Sequence, residues 1–318
     1  MPAPSMTTAD APGLLGGDTV KQVFNRAALE AFRAENVFRR IADIKWDESA
    51  GPMPGNPVTF TVISAVAPAI TPLSETAEPT PANISDTQKS VTLAEYGNAF
   101  KPSKKFRLTS FLTLDLTITG EVTAHMEESV DIVARDVLVA GTNVLYGGAA
   151  TSRVTVAAGS TIVANNVRRA RAFLGGKNTP PPPGSPMFMS YIHPDVSYDL
   201  QAESGQQAWS APHVYSDPAA MYTGELGALG GVRIVENANS TIFVNAGVGG
   251  TVDVYVTLFC GRQALGEAVG EPQHVVIAGP FDDLQRFVSF GWYAMLGYGR
   301  IRENSLTRYE TSSSIGAN

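Results

Sequence analysis

The chain is short of charge. Only 17% of its 318 residues are Asp, Glu, Lys or Arg, against roughly 25% in an ordinary soluble domain; 44% are hydrophobic. A surface so sparsely charged suits a protein that spends its time against neighbours rather than water. A basic excess is missing too. The formal net charge is −7, whereas a dedicated nucleic-acid binder neutralises phosphates with surplus Lys and Arg. Cysteine is nearly absent: Cys260 is the only one, so no internal disulfide can form and no CxxC metal site exists. The apolar stretches around 130–144 and 252–260 are too short, or too broken by charge, to span a bilayer. Residues 1–17 lack the basic start and apolar run of a signal peptide, so synthesis in the cytoplasm is expected.

Small residues, Pro and Gly fill 1–17, which reads as an extended arm. Thr19 and Gln22 then form a capping box, and Val20, Phe24, Ala27, Ala31, Phe38 and Ile41 recur near the helical period, predicting a helix that stops near Asp43. Residues 57–63 alternate as a strand, with Val58, Phe60 and Val62 on one face. Pro68, Pro72, Pro79 and Pro81 follow and cannot donate to a ladder. A second strand is marked by Val91 and Leu93. The pattern is a long two-stranded excursion with a proline-stiffened tip. Such a ribbon is barely stable alone in water, so it must lean on something. The tip is acidic (Glu75, Glu78, Asp86), and the segment after the ribbon is basic (Lys101, Lys104, Lys105, Arg107). These are either two solvated faces or the two halves of a contact between subunits, in which charge sets register and partner.

The clearest helix is expected over 119–146. Val122, Met126, Val130, Val133, Val137, Ala140 and Val144 form one stripe, and at 1.5 Å per residue the helix would be about 40 Å long. Gly147-Gly148 should end it. A shorter helix at 163–174, closed by Gly175-Gly176, precedes a polyproline linker at Pro180 to Pro183. Beyond it a buried strand (187–192), a helix (195–202) and short strands at 232–235, 241–245, 252–259, 274–277 and 287–296 are expected. No repeat is present. The order is α+β rather than alternating βαβ.

Chemistry-bearing motifs are wanting. His125, His193, His213 and His274 show no HxxxH or HExxH spacing. His193-Pro194-Asp195 reads as a strand-to-helix corner; a general base there has no GxSxG-type nucleophile to serve. Gly247-Val248-Gly249-Gly250 lacks the Lys-Ser/Thr of a phosphate loop and reads as a turn. Arg168, Arg169 and Arg171 lack interleaved aromatics for nucleic acid. No catalytic, metal or cofactor site is expected.

Two blocks resemble a known family. Phe188-Met189-Ser190-Tyr191-Ile192-His193-Pro194-Asp195-Val196, continuing with Tyr198-Asp199-Leu200, is similar to a strand–HPD–helix segment of the N4-type major capsid proteins of tailed bacteriophages. Tyr222-Thr223-Gly224-Glu225-Leu226-Gly227 and Gly230-Gly231-Val232-Arg233-Ile234-Val235-Glu236 resemble a second block of that family, in the same order and separation. The resemblance implies the HK97-like (Hong Kong 97-type) capsid fold. That plan has an N-terminal arm (1–50), an extended E-loop (51–107), a peripheral domain (108–154 and 266–318) with a spine helix at 119–146, and an axial domain (155–265). It implies a virion shell of hexamers and pentamers around double-stranded DNA bound without sequence specificity, with portal and decoration or cement proteins as further partners. The subunit is expected to keep its N-terminus in filled particles. An encapsulin-like compartment shell, a hydrolase with an unrecognised site and a phage tail or decoration protein are the alternatives.

Overall fold

The computed structural model describes residues 37–42, 44–47, 57–70, 72–73, 75–76, 81–110, 114–203 and 225–316. A 3-10 turn at Phe38–Ile41 is followed by strands β1 (Ile44–Asp47), β2 (Val58–Ile63), β3 (Asp86–Val91) and β4 (Ala94–Phe100). Helices α1 (Lys104–Thr109) and α2 (Leu114–Val139) precede β5 (Val144–Tyr146), α3 (Ala164–Gly176), β6 (Phe188–Ile192) and α4 (Pro194–Ala202). The remainder is β7 (Glu225–Leu229), β8 (Val232–Glu236), β9 (Ile242–Phe243), β10 (Val254–Cys260), β11 (Leu265–Phe281), β12 (Phe287–Arg300) and β13 (Leu306–Thr311).

These strands make three sheets among the described residues. The first runs β1-β11-β12-β4, the second β5-β13-β10-β6-β8-β7 with β9 on β10, and the third is the ribbon β2-β3. The first sheet joins strands from the beginning and the end of the chain. β10 lies inside the second sheet, paired with β13 and β6, and all seven of its residues are buried. That explains its continuous apolar run, since a strand covered on both faces does not alternate. β5 and β13, which fall within 108–154 and 266–318, join this second sheet rather than the first.

Helix α2 crosses both sheets. Its buried seam is Val122, Met126, Val130, Ala134 and Leu138, stepping by four throughout. At 3.6 residues per turn each such step overshoots a full turn by about 40°, so the seam winds around the helix. Val122, Met126 and Val130 meet Phe290, Trp292 and Leu296 of β12. Ala134 and Leu138 instead join Phe38, Ile41, Leu258 and Leu265. The expected stripe is corrected in its second half, where Val133 and Val137 are half-buried. The helix also starts earlier and stops earlier than 119–146. Its last carbonyls are taken by arginine side chains: Arg300 Nη1 donates to Val137 O at 2.8 Å, and Arg308 Nη1 donates to Val139 O and, just beyond the helix, to Gly141 O at 2.9 Å. Cations at a helix C-terminus also suit its dipole. Released from the helix, Val144–Tyr146 pairs in parallel with β13 as β5.

The N-terminal helix expected from Thr19 lies outside the described residues up to position 36. Its end is corrected: Phe38–Ile41 is one 3-10 turn, and β1 begins at Ile44. The cause is Asp131 on α2, whose carboxylate accepts from the amides of Val37 at 3.2 Å and Arg39 at 2.9 Å. Those amides turn to the carboxylate rather than to an α-helical ladder. Phe38 and Ile41, three apart as a 3-10 turn requires, both enter the core.

Candidate assembly surfaces

The ribbon pairs in register from Val58↔Val91 to Ile63↔Asp86. Its inner end is anchored, because Val58, Phe60, Val91 and Leu93 pack with Ala268 and Ile301 of the first sheet and its flank. Gly297 and Gly299 of β12 let the ribbon come so close: a Cβ on Gly299 would lie 2.4 Å from the Val91 side chain. The outer part is different. Ile63, Ile70, Leu73 and Ile84 are 64%, 87%, 77% and 72% exposed. Five of the six residues of β3 face solvent. Among the described residues nothing covers Ile63, Ile70, Leu73 or Ile84.

The acidic tip residues Glu75 and Asp86 are exposed; Glu78 lies outside the described residues. The basic segment is built next to the far end of the β11–β12 hairpin. Ser103 Oγ caps α1 by accepting from Phe106 N–H at 3.2 Å, and Lys104 N–H donates to Arg286 O at 2.7 Å. Arg107 places its guanidinium 5.9 Å from the centre of the Phe290 ring, a cation–π contact. Lys101, Lys104 and Lys105 are exposed and Arg107 is half-buried. Among the described residues no ion pair joins Glu75 or Asp86 to Lys104 or Lys105.

The histidines have structural partners. His125 Nδ1 accepts from Trp292 Nε1–H at 3.0 Å, tying α2 to β12. His193 Nδ1 accepts from Asp195 N–H at 3.2 Å and so caps α4; burial lowers its pKa, and the neighbouring carboxylates only partly offset this. Asp195 in turn accepts from the Tyr255 hydroxyl at 2.9 Å, and burial followed by that bond raises the Tyr255 pKa. His274 lies exposed beside Glu271, and His213 is outside the described residues. Among the described residues no three His, Cys, Asp or Glu side chains converge as metal ligands, and no helix is long and apolar enough to cross a membrane. Residues 248–250 form a turn with positive φ at Gly249 and Gly250. Arg168 and Arg171 of α3 lie against the β7–β8 turn at Gly230 and Gly231.

Sequence reasoning missed the buried charges that tie the elements together. Glu310, fully buried, takes Arg153 through Nε at 2.9 Å and Nη2 at 2.7 Å and also pairs with Arg308. Glu267, 1% exposed, takes Arg39 Nε at 2.7 Å and the Tyr298 hydroxyl at 3.0 Å. A carboxylate in an alternating strand carries no local sign that an arginine far along the chain will cover it.

The chain superposes on the capsid of Ralstonia phage GP4 with a TM-score of 0.76 at 16% identity, covering 97% of this chain and 98% of that one. It matches the capsid of Cyanophage Pam1 with a TM-score of 0.71 at 15% identity, over 99% and 100% of the two chains. For Mycobacterium phage Che8 the values are 0.64 and 16%, over 92% and 97%. The fold is thus HK97-like. The family model described as phage capsid protein matches residues 44–309, and the chain belongs to that family. No curated protein matches it.

Proposed function

We propose that this chain is the major capsid protein of a tailed phage, closing as hexamers and pentamers into an icosahedral head around double-stranded DNA. Its role is structural, and it performs no catalysis. The observation that carries the reading is the division of the described residues into a packed β body and a ribbon whose base is anchored while its outer apolar side chains stay exposed. A segment of that kind gains order only against other copies, and many weak contacts made at once close a stable shell. In this reading 1–50 is the arm, 51–107 the E-loop, 108–154 with 266–318 the peripheral domain and 155–265 the axial domain. The β6–His193–Pro194–Asp195–α4 corner and the β7–β8 hairpin support the N4-type branch. The subunit is made in the host cytoplasm and resides in the virion. Portal and decoration proteins complete the shell, and DNA is held by confinement, in keeping with the acidic balance.

The acidic tip (Glu75, Glu78, Asp86) meets Lys101, Lys104, Lys105 and Arg107 of a neighbour. Reversing both charges in Lys104→Glu/Lys105→Glu lowers particle yield while circular dichroism stays unchanged; normal particles from that variant refute the pairing. Negative-stain images of the purified protein at assembly concentration, with the nucleic acid in any particles measured, test the whole reading. Closed shells of one size are expected. A compact monomer at every concentration overturns it, and shells filled with a protein cargo move it to a compartment.

A further inference from the structure

From the exposed apolar groups we infer that the E-loop contact between copies is held by an apolar seat, with charge only guiding it there, and that the seat is the short helix α1, which exposes Phe106 and Leu108 on opposite sides, with the end of the β11–β12 hairpin. This rests on the shell reading and adds the place and the chemistry of the contact. Phe106 and Leu108 of α1 are 55% and 75% exposed, and Ile277 and Leu284 at the hairpin end are 59% and 70% exposed. They belong to one small region. Ser103 bridges to Phe287, Lys104 N–H bonds Arg286 O, and Arg107 covers the Phe290 ring, which pairs with Ile277 across the hairpin. Large exposed apolar side chains close together in one region mark a site of contact more than widely scattered ones do.

The occupant is the ribbon of a second copy, on two grounds. The ribbon's own side chains are as apolar and as exposed: Ile63, Ile70, Leu73 and Ile84 all lie beyond its anchored base. The charges also complement each other. Residues 57–88 hold Glu75, Glu78 and Asp86 with no Lys, Arg or His, whereas 97–114 hold Lys101, Lys104, Lys105 and Arg107 with no Asp or Glu. At the hairpin end Asp282 is paired with Arg286, leaving Asp283 as the acid nearby. Charges at a rim act mainly on the rate of encounter and are screened by salt, while desolvated apolar groups hold the complex.

Two full-length variants, Leu73→Cys and Leu108→Cys, are mixed, assembled and treated with a short bis-maleimide; Cys260 is buried and does not compete. Each chain carries only one new thiol, so a mixed dimer between the two variants can form only in trans. That dimer is expected from particles and not from unassembled subunits. Particles that yield no mixed dimer overturn the seat while leaving the shell standing, whereas absence of wild-type particles overturns both. In parallel, Ile70→Ser/Leu73→Ser should cut particle yield by at least about tenfold, and molar salt should slow assembly but keep most of the yield. Loss of particles in salt with normal yield from the serine variant overturns the apolar seat.

Discussion

β10 and β2 are both rich in β-branched and aromatic residues, yet β10 and the ribbon that β2 makes with β3 live by different rules. Every residue of β10 is buried, with neighbours on both edges from its own chain. Among the described residues of the ribbon only the inner end is covered, and Ile70 at the far end is 87% exposed. Apolar side chains are therefore buried in one place and exposed in the other, and in the proposed reading the exposed set acts only when a second copy arrives.

That contrast can be broken most forcefully at Phe259, which is fully buried where α3, β6 and β10 meet. Phe259→Ala is expected to cost about 3–5 kcal/mol of subunit stability, read as a lower urea midpoint. A smaller effect is expected at Asp131, where α2 holds the turn at Phe38–Ile41. Asp131→Ala strands the amides of Val37 and Arg39 and should cost about 1–3 kcal/mol at neutral pH, with faster proteolysis near Arg39 and Arg40. Burial raises the Asp131 carboxyl above the ordinary carboxylate value, outweighing the backbone bonds that pull it down. The folded state therefore keeps this proton after the unfolded chain has lost it. Wild-type stability should fall as pH rises from the ordinary carboxylate value through the raised one, and urea titrations should show Asp131→Ala lacking that component.

Trp292→Phe removes the indole donor to His125 but keeps most of the packing, so about 0.5–1.5 kcal/mol is expected, again by denaturant unfolding. Leu73→Ser, on the ribbon, should change subunit stability by no more than about 0.5 kcal/mol while lowering assembly. If calorimetry of the unassembled subunit finds Leu73→Ser as costly as Phe259→Ala, the ribbon is part of the monomer's core and the contrast collapses.

Much of the layout was legible because period and punctuation are local. The α3 expectation of 163–174 meets Ala164–Gly176, and 187–192 meets Phe188–Ile192. His193-Pro194-Asp195 is the corner it was read as, with the ring nitrogen as cap. The acidic and basic groups were visible as composition, but not the apolar side chains around them, because an exposed Leu73 and a buried Leu258 look alike in sequence. β4 and β13 went unread because Ala94–Phe100 and Leu306–Thr311 have weak alternation. β4 is held by its pairing with β12, and β13 by β10 on one edge and β5 on the other.

The sequence by itself determined where α3, β6 and α4 lie, that no cysteine network supports the fold, and that one ribbon carries acid where the next segment carries base. These follow from backbone sterics, side-chain period and charge, which need no distant partner. Tertiary structure alone decided where α2 ends, which carboxylates are buried and which apolar groups stay outside. Each depends on residues far along the chain, such as Arg308 reaching the last turn of α2 or Arg153 covering Glu310, and such pairings exist only once the sheets have closed.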